Sequence, residues 1–271
     1  MTDRSSVPVL VVNAFTDTLF GGNPAAVVET ETPLAESTMQ SIAEQHNLSE
    51  TAFLVRKGVD HFHLRWFTPT KEVQLCGHAT LASAYALDYL GHWVGERLTF
   101  DTASGPLYVT RDGDQYRIEF PAVLMDEVET PSNVAAALGV SVIRSFQPSN
   151  GAWQMVCELA DEATLKACSP DFSALAKATD LGVSITAPSS DVDYVSRFFI
   201  PQLGINEDPV TGSAHCQLVP FWAARLSKTT LRARQLSARG GDLHGTLEGD
   251  RVVLAGACCL FSEGRIFLPS A

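Results

Sequence analysis

Positive charge is scarce in this sequence: 19 Lys and Arg stand against 31 Asp and Glu in 271 residues, a formal net charge of -12. That shortage argues against a nucleic-acid or membrane-surface role, because phosphate backbones and anionic lipids are bound by basic patches. No apolar run reaches the roughly 18 to 20 residues of a membrane span. The start, Met1-Thr2-Asp3-Arg4-Ser5-Ser6, lacks the basic-then-apolar pattern of a secretory signal, so a cytoplasmic protein is expected. The six cysteines (Cys76, Cys157, Cys168, Cys216, Cys258, Cys259) form no CxxC and no disulfide-framework spacing, and most read as reduced, inert core thiols. GxSxG, GxxxxGK[ST] and GxGxxG are absent, which leaves the common hydrolase and nucleotide signatures unsupported. Low-complexity segments are lacking too.

What is present is an internal repeat. Arg65-Trp66-Phe67-Thr68-Pro69 leads to Cys76-Gly77-His78, and Arg197-Phe198-Phe199-Ile200-Pro201 leads to Thr211-Gly212-Ser213. Both glycines open an Ala-rich apolar run, Ala79 to Leu90 and Ala214 to Leu226, that reads as a buried helix. The first backbone N–H groups of a helix lack an internal partner and carry roughly half a positive charge, so a glycine there lets an anion reach the main chain. Two such ends suggest an anionic small molecule held by two related halves.

Strands are expected at Val9 to Phe15, Ala25 to Val28, Thr51 to Arg56, His61 to Phe67, Leu98 to Thr102, Pro106 to Arg111 and Tyr116 to Phe120, with an amphipathic helix at Glu36 to Asn47 and a Gly21-Gly22-Asn23-Pro24 turn. The acidic, proline-flanked stretch Pro121 to Ser132 is the candidate linker. A similar order follows it: helices near Ser132 to Leu138, Glu162 to Lys166 and Phe172 to Thr179, and strands at Val140 to Gln147, Trp153 to Leu159, Val183 to Ala187 and Val192 to Ile200. The end reads as hairpin strands Leu243 to Leu247, Arg251 to Leu254 and Ala257 to Phe261, with turns at Glu248-Gly249-Asp250 and Glu263-Gly264. Helices and strands mix without regular alternation, so α+β is favoured over a doubly wound sheet. The expected halves are 1–120, with a last strand at about 262–271 as a candidate to complete it, and 121–261.

His78 and Ser213 offer an imidazole and a hydroxyl just after the two glycines, and Asp208-Pro209 precedes Gly212 within reach of the same turn. Ser49-Glu50-Thr51 enters the apolar strand Ala52-Phe53-Leu54-Val55; a carboxylate at the mouth of a buried strand loses solvation, which suits it to general acid/base work. A thiol at a helix N-terminus, as at Cys76, can become a base or nucleophile. Its repeat partner is Thr211, so a two-thiol epimerase lacks one base here. His61 and His63 share a strand face without a third metal ligand in view.

These blocks resemble a known family from end to end. Asn13-Ala14-Phe15-Thr16-Asp17 with Phe20-Gly21-Gly22-Asn23-Pro24-Ala25-Ala26-Val27-Val28 is similar to the opening of the PhzF-like phenazine biosynthesis isomerases. Ser49-Glu50-Thr51-Ala52-Phe53, Phe67-Thr68-Pro69, Cys76-Gly77-His78-Ala79-Thr80, Glu207-Asp208-Pro209-Val210-Thr211-Gly212-Ser213-Ala214-His215 and Arg239-Gly240-Gly241 look like that family's other blocks. The resemblance implies the diaminopimelate epimerase-like fold: two pseudo-symmetric α+β halves, each a strand barrel around a central helix, with the active site in the cleft between them. It also implies a homodimer, Glu50, His78, Asp208 and Ser213 as catalytic residues, and Ser49, Gly77 and Gly212 as substrate-binding positions.

The expected function is then a cofactor-independent, metal-free isomerase moving a proton between carbons of a small carboxylate-bearing substrate. The helix ends with Ser213 would hold the carboxylate, Glu50 would shuttle the proton, and His78 and Asp208 would orient polar groups and stabilise developing charge. The alternatives are an amino-acid epimerase using Cys76 as a base, and a catalytically idle carboxylate-binding protein of the same fold.

Overall fold

The computed structural model describes residues 5–151 and 153–268; residues 1–4, in the segment read for a targeting signal, and 269–271, in the expected last strand, lie outside them. Its contacts divide the chain into two compact units, Met1–Glu119 with Ala255–Ala271, and Phe120–Leu254.

The first unit is built from β1 (Ser6–Ala14), β2 (Asn23–Thr30), α1 (Glu36–His46), β3 (Glu50–Gly58), β4 (His61–Phe67), β5 (Glu72–Val73), α2 (Gly77–Tyr89), β6 (Arg97–Thr102), β7 (Gly105–Asp112) and β8 (Gln115–Pro121). To these it adds most of the long C-terminal strand β17 (Arg251–Phe267). Eight of the strands close a ring: β1, β2, β3, β4, β6, β7, β8 and β17, which pairs back onto β1. The β2·β3 and β4·β6 pairs are parallel because α1 and α2 intervene as crossovers. α2 packs on β1, β2 and β3 and is buried on all sides from His78 to Ala84, which explains its Ala-rich, non-amphipathic sequence. With no water to serve them, its hydroxyls turn back on their own helix, Thr80 Oγ1 to the Cys76 carbonyl at 2.5 Å and Ser83 Oγ to the Ala79 carbonyl at 2.7 Å. α1 places Met39, Ile42 and Ala43 in a separate cluster with Val9, Val28, Phe53 and Phe67.

The second unit repeats this order with β9 (Met125–Val128), α3 (Ser132–Leu138), β10 (Arg144–Pro148), β11 (Gln154–Glu158), α4 (Glu162–Ala167), α5 (Phe172–Ala178), β12 (Gly182–Pro188), β13 (Tyr194–Ile200), β14 (Ile205–Asp208), α6 (Gly212–Leu226), β15 (Thr230–Gln235) and β16 (Gly241–Glu248). Here β11·β12 and β13·β15 are the parallel pairs. Pro220 lies inside α6 and has no N–H to give the Cys216 carbonyl; the Val123 N–H takes that carbonyl instead, at 2.9 Å.

Several local expectations change. The stretch read as a linker holds β9, which pairs with β10, so its acidic residues lie along a strand with Asp126 and Glu127 exposed. The turn expected at Glu263-Gly264 is continuous strand, because β17 runs along β1 from Cys258 to Phe267. The same continuity places residues 255–261 in the first unit. β14 and β15 were not anticipated: Ile205–Asp208 is too acidic to read as a strand, and Thr230–Gln235 alternates buried Leu231 and Ala233 with charged residues. Among the described residues, no helix is long and apolar enough to cross a membrane.

Candidate active site

Both repeat motifs use one device. Arg65 grips Glu72 through Nε and Nη2, each at 2.7 Å, and Arg197 grips Glu207 at 2.7 and 2.9 Å. Each glutamate lies on the short return strand opposite the motif's second aromatic, Phe67 or Phe199, and each guanidinium also covers that ring. The two-pronged pair pins the return strand five residues before the helix-opening glycine, which fixes where α2 and α6 begin. Neither helix start carries a side-chain cap: Cys76 and Thr211 are extended N-cap residues without a capping bond.

In the first unit the helix start meets the mouth of β3. Glu50 Oε2 lies 3.1 Å from His78 Nε2, with the two side chains 15% and 6% exposed. Cys76 Sγ is 3.5 Å from His78 Nδ1, and the fully buried Asn23 places Nδ2 3.2 Å from the same nitrogen. Ser49 and Gly77 are chain neighbours of Glu50 and His78, and both are partly exposed. Burial alone would lower the His78 pKa, but Cys76 and the Glu50 carboxylate outweigh it and hold the ring above the usual histidine value. Burial, aided by the Glu50 charge, pushes the Cys76 thiol up to about 11. Ligand atoms of Glu50, Cys76 and His78 all lie within 4.8 Å of one another. A carboxylate, a thiol and an imidazole thus meet here, with Glu50 the most exposed of the three. His61 pairs with Asp101 at 2.9 Å, away from this cluster.

In the second unit Thr211 Oγ1 donates to Asp208 Oδ2 at 2.5 Å, and Gln235 clasps both residues, accepting from the Thr211 N–H at 2.9 Å and donating to the Asp208 carbonyl at 2.7 Å. Ser213 Oγ accepts from Gln154 Nε2 at 2.8 Å, and Gln154 Oε1 accepts from Gln217 Nε2 at 2.5 Å. Deeper along α6, His215 Nδ1 is 2.8 Å from the Tyr194 hydroxyl, and complete burial drives its pKa down to about 3, partly offset by Gln235.

Strand register identifies what each unit has at equivalent places. Thr51 pairs with Phe67 and Val183 with Phe199, so Glu50 corresponds to Gly182. Ala25 pairs with Glu50 and Gln154 with Gly182, so Gln154 stands where the first unit has Ala25. A Cβ at Gly182 would lie 2.4 Å from Phe198 Cζ and 2.9 Å from Trp153 Cζ3: aromatic rings fill the space a second carboxylate would need. Asp208, in turn, corresponds to Val73. Of the candidates read from the sequence, Glu50, His78, Asp208 and Ser213, the structure brings Glu50 to His78 in one unit, while in the other Asp208 joins Thr211 and Ser213 joins Gln154. Asn23, Gln154, Gln217 and Gln235, which the structure adds around these candidates, were not among them; the Gly21-Gly22-Asn23-Pro24 run carried a signal for the first, and the glutamines carried none.

Residues 12–264 match the phenazine biosynthesis-like protein family, PhzC-PhzF. The chain belongs to that family. An uncharacterized isomerase of Pseudomonas aeruginosa is 47% identical over 257 residues, covering 95% of this chain and 97% of that protein. A PhzF-family phenazine biosynthesis protein from Enterococcus faecalis superposes with a TM-score of 0.93 at 45% identity, over 97% of this chain and all of that one. A predicted epimerase of Pseudomonas aeruginosa shares the fold at a TM-score of 0.71 and 19% identity, over 98% and 100% of the two chains. The PhzF family has the diaminopimelate epimerase-like fold, and the paired barrel-and-helix elements above are its two halves. Isomerase chemistry on a small molecule is the family's class of activity.

Proposed function

We propose that this protein is a cofactor-independent isomerase that moves a proton between carbons of a small carboxylate-bearing substrate, with Glu50 as the general acid/base. The observation that carries this reading is the Glu50–His78 contact of 3.1 Å at the start of α2, where a carboxylate with an open side is backed by a buried ring. Such a carboxylate can take a proton from carbon and return it elsewhere, while the His78 ring stabilises the charge left on the delocalised intermediate. Ser49 and the N–H groups at Gly77 are assigned to substrate binding. By family resemblance Gly212, Ser213 and Asp208 are assigned anion-holding and polar roles, and Gly182, the register equivalent of Glu50, offers no second base. A homodimer belongs to this reading by family resemblance. The Cys76 epimerase alternative is disfavoured by burial: a thiol with a pKa of about 11 is roughly one part in 10⁴ ionised at pH 7.

Glu50→Gln tests the assignment because it keeps the shape and removes the base. Turnover on a substrate found by screening small carboxylates for thermal stabilisation is expected to fall about 10² to 10⁴-fold, with binding nearly unchanged. Turnover close to that of the native protein in Glu50→Gln would remove Glu50 from the mechanism.

A further inference from the structure

The Gly21-Gly22-Asn23-Pro24 segment does more than turn the chain. Gly22 adopts φ of +66°, and a Cβ there would lie 2.3 Å from the Ala14 carbonyl oxygen, so only glycine fits. Asn13 ties the loop from the other side, its Nδ2 donating to the Leu19 carbonyl at 2.7 Å. The constrained loop delivers Asn23 to the first position of β2, opposite Ala14, with its side chain completely buried. Burying a carboxamide is costly unless it is hydrogen-bonded, and here its Nδ2 meets Nδ1 of the His78 ring at 3.2 Å. The opposite ring nitrogen, Nε2, lies 3.1 Å from Glu50 Oε2, a close approach short of a hydrogen bond.

We propose that Asn23 is a positioning residue whose carboxamide holds Nδ1 of His78, so that Nε2, the ring nitrogen beside Glu50, always carries a hydrogen. A neutral imidazole with Nδ1 as acceptor takes the Asn23 N–H and carries its own hydrogen on Nε2. When the ring gains a second proton, the amide turns and its carbonyl accepts from Nδ1–H. Few side chains other than a carboxamide can serve both states at one place. The Glu50 carboxylate thus has a protonated ring nitrogen beside it in every protonation state of the ring. This rests on the reading of Glu50 as the base, but the ring's tautomer is measurable without any substrate.

Cys76 is the rival for the same nitrogen, with Sγ at 3.5 Å. The deciding experiment is a pH titration of the ¹⁵N-labelled protein, following the His78 ring nitrogens by long-range ¹H–¹⁵N correlation. In the unsubstituted protein Nε2 is expected to stay protonated throughout while Nδ1 alone titrates. Asn23→Asp, nearly isosteric but acceptor-only, is expected to hold the hydrogen on Nδ1; Asn23→Leu is expected to give a mixture of neutral tautomers; Cys76→Ala is expected to leave the native pattern. A neutral ring protonated on Nδ1 in the native protein overturns the proposal even if both Asn23 variants fail to fold. A native pattern kept in Asn23→Leu and lost in Cys76→Ala transfers the role to the thiol and overturns it equally. Should Glu50→Gln retain turnover while this titration goes as expected, the functional reading fails and the tautomer assignment stands.

Discussion

The substitution His215→Asn should flatten the acid dependence of stability by an amount the structure sets. The imidazole is completely buried beside Tyr194, which stacks at 7° on Trp222, whose Nε1 in turn donates to Thr186. Its folded pKa is about 3, against about 6.5 when unfolded, because burial penalises the imidazolium. With the folded value below the unfolded one, the unfolded chain binds the extra proton first. Stability from this group is therefore complete above about pH 6.5 and is lost as pH falls toward 3, with a slope approaching about 1.4 kcal/mol per pH unit. Between pH 7 and pH 5 the loss is about 2 kcal/mol. The replacement carboxamide would keep an acceptor near the Nδ1 position without a titrating group. Urea unfolding of both proteins at pH 7, 6 and 5 gives the comparison; other groups, including His78 with its raised pKa and opposite sign, cancel between the two series. Parallel stability curves, whatever their offset, would refute the claim that His215 is held neutral.

Three further outcomes are expected. Gly182→Ala should cost about 1 to 3 kcal/mol in chemical denaturation, since its Cβ meets the rigid rings of Phe198 and Trp153, and an unchanged midpoint would contradict the account of why the second unit has no base. Glu207→Gln should destabilise more than Glu72→Gln, roughly 2 kcal/mol against less than about 1: Arg197 and Glu207 are 13% and 18% exposed, whereas Arg65 and Glu72 are 25% and 32% exposed and Arg65 keeps Glu36. Cys76 in the native protein should resist a thiol reagent at pH 8 and react in urea, as read by mass spectrometry of the labelled peptide; rapid native labelling would contradict a buried thiol with a pKa near 11.

Legibility in the sequence followed the range of the forces involved. The glycine-headed helices were readable because an Ala-rich run after a Gly is a local signature, and α2 and α6 begin at Gly77 and Gly212 as expected. Glu50 and His78 were readable as candidates from position alone, at a strand mouth and a helix start. Their 3.1 Å contact was not, since 28 residues separate them and the barrel closes that distance. β14 escaped because its acidic residues gain their place from Arg197, a partner the local pattern cannot display.

By itself the sequence determined the repeat, most of the element order of each half and the residue types available for proton transfer, because periodicity, turn chemistry and helix starts are local. Only the tertiary structure decided how those residues are used. Strand register set Gly182 at the place equivalent to Glu50, packing closed the space over it with Phe198 and Trp153, and the loop fold brought Asn23 to the ring of His78, 55 residues away. Register and burial are properties of paired strands, and a one-residue slip would have turned Glu50 to the other face.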